Sequence, residues 1–263
     1  MFNTFMALAV GVVGMPATFN PPRIEQTNLQ LLFSSELTDY SSNMGSRRQA
    51  GVELKRKVGS TTVVGQLQTG SRTAGRDRFR GTGGGLTVSH NWTAAVSTRT
   101  TATVATDSPL FPKRSLQQEV SLKVAPGIVL SVAGKSARYY GGVDVNSLSA
   151  GTSWYFHGGL VSYRFTHYGA DRMGSGNAHL ASFRLNDRLG AGSTQLWLGI
   201  GSSLVDQNLT PLIQKGSFRS VAIRRVQPVG GNVALSFGLG QDWYKTRVGS
   251  FTALRPSLGL VFN

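Results

Sequence analysis

Four histidines and no cysteine set the outer limits of any catalytic chemistry in this sequence. His167 lies in the stretch RFTHYGAD, Arg164 to Asp171. A serine two residues further on would share its face of a strand and could act as nucleophile. That position is Gly169. Asp171 could orient His167 in an Asp–His hydrolytic pair, but nothing nearby completes the arrangement. His179 is followed three residues later by Ser182, a spacing that puts the two on opposite faces of a strand. His90 and His157 fall in short polar turns. The absence of cysteine removes thiol nucleophiles, disulfides and Cys-ligated zinc. Carboxylates are too sparse for a calcium site or another metal site. Gly83–Gly84–Gly85 opens no helix, so it is not a phosphate-binding loop. The residues point away from an enzyme, a metal and a cofactor.

The chain has 263 residues and a formal charge of +15, from 27 basic and 12 acidic side chains. So basic a protein invites a nucleic-acid reading. The basic residues are scattered singly, however, and the densest groups, Arg47–Arg48, Lys55–Arg56–Lys57 and Arg224–Arg225, are short. No zinc-finger, homeodomain or RNA-recognition signature accompanies them, and nucleic acid is not an expected partner.

The elements that must carry this charge are strands. From Leu29 onward apolar residues recur with period two, as in Leu116, Val120, Leu122 and Val124, or Leu196, Leu198 and Ile200, or Leu258, Leu260 and Phe262. Polar or tiny residues fill the intervening positions, for example Gln117, Glu119, Ser121 and Lys123. This is strand alternation, and no stretch carries helical spacing. About fourteen strands can be counted (twelve is the alternative), each of about ten to thirteen residues, long enough to cross a bilayer at a tilt. Their links alternate between tight turns, such as Gly59–Ser60 and His157–Gly158, and longer connections, such as Leu204 to Gly216 and Asp107 to Pro112. Tight turns gathered at one end and longer loops at the other describe an outer-membrane barrel. The expected fold is therefore all-β: one antiparallel transmembrane barrel over residues 29–263, with both termini periplasmic. Residues 1–17 read as an apolar secretory leader with a cleavage point after Ala17, and residues 18–28 as a periplasmic segment.

Alternation also assigns faces. A Lys or Arg facing lipid at the midplane costs roughly 2–4 kcal/mol, so the apolar set must face lipid and the opposite set the lumen. Nine basic residues, Lys55, Lys57, Arg99, Lys123, Lys135, Arg164, Arg184, Arg224 and Arg255, then share the lumen with three acids, Glu53, Glu119 and Asp242. Full internal pairing is impossible at that ratio. The lumen is either a plug held by Arg–carboxylate networks or an anion-attracting conduit.

Aromatic residues gather near strand ends and are expected to form two interfacial girdles. Trp92, Trp154 and Phe156 fall at the short-turn end, and Tyr140, Trp243 and Tyr244 at the other. The chain closes on LRPSLGLVFN, in which Leu254, Leu258, Leu260 and Phe262 alternate toward an aromatic. That register suits the signal by which barrel-assembly machinery reads a last strand. Pro256 interrupts it, and Asn263 departs from it because the aromatic is usually final.

The stretch WYFHGGLVSYRFTHYGADRMGSGNAHLASFRL, Trp154 to Leu185, together with GLGQDWYKTRVGSFTALRPSLGLVFN, resembles the YaiO-type outer-membrane β-barrel family. The resemblance covers most of the chain after about Asn28 and is carried by strand rhythm, aromatics and glycines. It implies an integral outer-membrane protein of a Gram-negative bacterium, of a kind met as the barrel part of surface-polysaccharide or phage-receptor systems, with no catalytic residues to transfer. The expected function is non-enzymatic: surface-polysaccharide export or envelope organisation. The expected partners are outer-membrane lipid, lipopolysaccharide, the assembly machinery, an anionic glycan and periplasmic export proteins. The alternatives are a lipid- or peptide-cleaving barrel and a structural or phage-receptor-like barrel.

Overall fold

The computed structural model describes residues 29–42, 44–171, 174–187, 192–204, 215–246 and 249–262. The leader, the segment 18–28 and Asn263 lie outside them. Fourteen strands follow in order: β1 (Leu29–Tyr40), β2 (Ser46–Val58), β3 (Thr61–Ala74), β4 (Asp77–Asn91), β5 (Val96–Ala105), β6 (Arg114–Ala125), β7 (Ile128–Arg138), β8 (Asp144–Phe156), β9 (Gly159–Ala170), β10 (Gly174–Asn186), β11 (Ser193–Leu204), β12 (Lys215–Gly230), β13 (Val233–Thr246) and β14 (Gly249–Phe262). Each pairs antiparallel with the next, and β1 pairs with β14, so the sheet closes on itself. Closure leaves no backbone edge facing hydrocarbon, the condition a sheet must meet to span a membrane.

The wall follows the alternation. In β14, Leu254, Leu258, Leu260 and Phe262 point outward and are exposed, while Arg255, Gly259 and Val261 point inward and are buried. The closing register sets Phe33 beside Leu260 and Leu31 beside Phe262, so the seam carries the same apolar outer face as the rest of the wall. The Phe33 and Phe262 rings meet edge to face at 6.1 Å.

The links differ in detail from the sequence reading. The tight ends hold at Gly59–Ser60, 126–127 and His157–Gly158. Gly59 adopts φ +58° and Gly158 φ +81°, conformations that glycine reaches without a Cβ penalty. At the opposite end, the link between β3 and β4 is a two-residue turn, because the two strands continue their ladder to Ala74 and Asp77. Longer loops remain at 41–45, at 106–113 and at 139–143, the last holding one 3₁₀ turn (Tyr140–Gly142). Strands reach 16 residues, longer than expected, because β12 keeps pairing with β13 as far as Gly230, beyond its last pair with β11 at Val226.

Candidate functional site: the basic lumen

All nine basic residues named from the sequence sit on the inward face of their strands, with Glu53, Glu119 and Asp242 among them. They do not form one ring. Lys55 and Lys123, near the periplasmic end, are exposed to the water there, and Lys57 is half-buried. Lys135 is half-buried in the wall of β7. Arg184 donates through Nε to Asn186 Oδ1 at 3.0 Å, and Arg224 through Nε to Ser236 Oγ at 2.7 Å. Both of these acceptors are neutral side chains.

The acids organise the rest. Glu119, 4% exposed, receives Arg164 Nη2 at 2.6 Å on one oxygen and lies 3.5 Å from Arg99 Nη1 through the other. Asp242, fully buried, stands 2.8 Å from Arg255 Nε. Around these groups the lumen divides into a cavity of about 230 Å³ beside Arg99, Glu119 and Arg164, and one of about 220 Å³ beside Glu53, Arg224 and Arg255. Arg47, Gln49, Gln66 and Gln68 border both. The lining of amides, hydroxyls and guanidinium groups can hydrogen-bond a polyhydroxylated or anionic solute. The bore is narrow.

Sequence reasoning missed what narrows it. Arg47 and Arg72 also point inward and are 6% and 2% exposed. The Arg72 guanidinium lies 5.5 Å from the Tyr40 ring centroid, a cation–π distance. Tyr40, Phe218, Tyr244, Phe251 and Ala253 form an apolar cluster inside the barrel at the long-loop end. Tyr244 and Phe251 stack at 4.8 Å. Tyr244 is therefore not a girdle residue. It shares the inward face of β13 with Asp242, two positions away, and is 5% exposed. Tyr139 and Tyr168 belong to a second internal cluster with Ala137, Val143, Val145 and Ala170. Tyr168 donates its hydroxyl to the Ser202 carbonyl at 2.7 Å. Of the girdle set, Trp92, Trp154 and Trp243 face outward and are exposed. Phe156 packs between Trp154 and Phe183. Tyr140 stands in the 3₁₀ turn, off the strands.

The loop between β5 and β6 supplies the other constriction. It folds into the barrel, where Ser108, Leu110 and Phe111 are 5%, 1% and 5% exposed. It rests on Gly70 and Gly81, which face each other across β3 and β4. A Cβ on Gly81 would collide with the Ser108 hydroxyl, and one on Gly70 would stand 3.4 Å from Leu110. The one sequence signal for this seat is that facing pair of glycines on inward positions.

Among the described residues, His90, His167 and His179 each pair with a neutral side chain. His179 Nδ1 pairs with the Tyr163 hydroxyl at 2.7 Å, while Ser182 faces inward and bonds Ser162. His167 Nδ1 pairs with Asn177 Oδ1 at 2.8 Å, and His90 Nδ1 with Thr61 Oγ1 at 2.8 Å. Among the described residues, no group of three or more His, Asp or Glu could hold a metal ion.

Comparison with known proteins places this barrel. Among solved structures it resembles the CymD monoaromatic hydrocarbon channel, with a TM-score of 0.62 at 8% identity over 90% of this chain and 89% of that one. It also resembles a bacterial polysaccharide outer membrane secretin, with a TM-score of 0.59 at 9% identity over 90% of this chain and 98% of that one. At such identities the likeness is one of fold. Residues 28–205 match the YaiO membrane beta barrel domain, more than half of the chain. The chain is an outer-membrane β-barrel and belongs to the YaiO membrane beta barrel family.

Proposed function

We propose that this barrel is a non-enzymatic conduit serving surface-polysaccharide export or envelope organisation, and that its lumen engages an anionic glycan. The observation that carries the reading is the charge left over inside. The inward basic residues Arg47, Lys55, Lys57, Arg72, Arg99, Lys123, Lys135, Arg164, Arg184, Arg224 and Arg255 outnumber the mid-strand acids of the same face, Glu36, Glu53, Glu119 and Asp242, so the lumen keeps a positive surplus however they pair. A low-dielectric wall strengthens the field of such groups and draws anions to them. Side-chain amides at Gln49, Gln66, Gln68 and Gln117 line the same cavities and suit sugar hydroxyls. The fold neighbour described as a polysaccharide secretin agrees with this solute class. A hydrolytic role is disfavoured, because His90, His167 and His179 hydrogen-bond neutral groups and not acids.

The ion pairs, the inserted loop and the aromatic clusters describe a closed or narrow resting state, and the loop is the element that opens it. The experiment is planar-bilayer recording with acidic and neutral oligosaccharides of matched size. Acidic oligosaccharides should block or permeate at lower concentration, and an Arg184→Gln/Arg224→Gln protein should lose that preference. Equal behaviour toward both sugars would remove the glycan reading.

A further inference from the structure

The outward face of β1–β4 departs from the rest of the wall. One outward row near the long-loop end runs Leu37, Arg48, Ser71, Arg80 across the four paired strands, just inside the outermost row of Asp39, Ser46, Thr73 and Arg78. Two arginines therefore face the surroundings of the barrel, two and three residues inside the outer ends of β2 and β4, where the outer leaflet's headgroups lie. Both are exposed, and among the described residues neither meets an acid. Asp39 stands one row closer to the rim, beside Ser46, and makes no ion pair with them.

The next row toward the membrane centre is Ser35, Ala50, Thr69 and Thr82, all small. The row after that is Phe33, Val52, Leu67 and Gly84. Small side chains between large ones leave a groove in the outer wall. Its upper part, about 650 Å³, runs from Arg48 and Arg80 to Ala50, Thr69 and Thr82. Its lower part, also about 650 Å³, continues from the same three residues to Phe33, Leu67 and Leu260. A pair of cations thus sits at the mouth of an apolar channel at outer-leaflet depth.

We propose that this groove binds one outer-leaflet phosphoglycolipid, the lipid A part of lipopolysaccharide, with a phosphate held between Arg48 and Arg80 and an acyl chain lying over Ala50 and Thr69. The guanidinium pair matches a phosphate in charge and in hydrogen-bonding geometry. A site of this kind does not depend on what passes through the lumen, because all its residues face away from it.

The test is native mass spectrometry of the detergent-purified protein with bisphosphorylated lipid A, dephosphorylated lipid A and phosphatidylglycerol. Wild type should retain one bisphosphorylated lipid A. An Arg48→Gln/Arg80→Gln protein should bind it about 25-fold more weakly, since each basic group near a membrane surface contributes about a factor of five. Ala50→Phe, which fills the groove and keeps both charges, should also weaken it. Arg56→Gln, an outward arginine at the periplasmic end, should not. Heat-modifiable gel mobility certifies that each variant is folded. The proposal is overturned by equal retention in Arg48→Gln/Arg80→Gln, by equal retention of phosphatidylglycerol, or by a dimer of the chain that this double variant dissolves while lipid A binding stays unchanged.

Discussion

Arg164 on β9 donates to Glu119 on β6 at 2.6 Å, although β7 and β8 separate the two strands around the wall. The contact therefore spans the inside of the barrel. Arg99 on β5 closes on the same carboxylate at 3.5 Å. One acid gathers cations from two other strands and draws that side of the lumen together.

Removing that acid should be costly. Glu119→Gln leaves Arg99 and Arg164 facing each other without a counter-charge, and breaking a buried pair from one side costs about 3 kcal/mol or more. The unfolding midpoint of the purified barrel in denaturant measures this. Glu119→Gln/Arg164→Gln should recover part of the loss, because one stranded cation goes with the acid. No loss in the single variant would mean that water already solvates both arginines.

Lipid exposure of the wall gives a second expectation. Leu198 lies mid-strand in β11 and is 51% exposed, whereas its neighbour Trp197 is 4% exposed. Leu198→Arg should destabilise the barrel by roughly 2–4 kcal/mol in bilayers. Arg99→Gln on the inward face should leave insertion intact. Tolerance of Leu198→Arg would require the faces to be reversed.

The inserted loop carries a third. Leu110→Gly/Phe111→Gly removes the apolar anchor of the β5–β6 loop and should raise single-channel conductance. Gly81→Val displaces Ser108 from its seat and should do the same by another route. Unchanged conductance in both would show that the loop does not limit passage.

Phe262 and Phe251 separate assembly from stability. Phe262 faces outward at the closing seam, and Phe251 faces inward in the Tyr40–Tyr244 cluster. Phe262→Ala should lower the yield of assembled barrel in cells. Phe251→Ala should leave that yield closer to wild type and cost about 3 kcal/mol in unfolding, as large-to-small core changes do. Matching defects in both would leave the last strand without a special role in assembly.

One short turn has a pH dependence. Arg225 clamps Asp187 at 2.6 Å on both carboxylate oxygens, in the link after β10. Those hydrogen bonds lower the Asp187 pKa below the ordinary carboxylate value. A lowered folded-state pKa contributes order above the unfolded value and loses it as pH falls through the lowered one. Amide exchange at Asp187, whose N–H bonds the Gly192 carbonyl at 2.9 Å, should quicken below that point relative to Tyr155, whose N–H bonds Gly127. Arg225→Gln should abolish the difference.

The wall was legible in the sequence because the membrane enforces period two on every strand, so Leu116 to Val124 or Leu196 to Ile200 announce their face directly. The interior was legible only where a charge sat mid-strand. Tyr244 was misplaced because an aromatic at a strand end suits either a girdle or a lumen. Its parity with Asp242 decides between them, and that signal was present. Arg47 and Arg72 escaped for the same reason, since they fall near strand ends where charge on either face is tolerated. The β5–β6 loop was not legible, because its place depends on a seat built by Gly70 and Gly81 from two other strands. The outward Arg48–Arg80 row needed the register of β2, β3 and β4, which alternation alone does not supply.

Ion selectivity tests the central claim most directly. The reversal potential across a planar bilayer holding this barrel, with a tenfold salt gradient, reports whether the inner surface favours anions. The basic lumen predicts passage of anions over cations, with a preference that weakens toward 1 M salt as the Debye length falls to about 3 Å. Cation selectivity would contradict it.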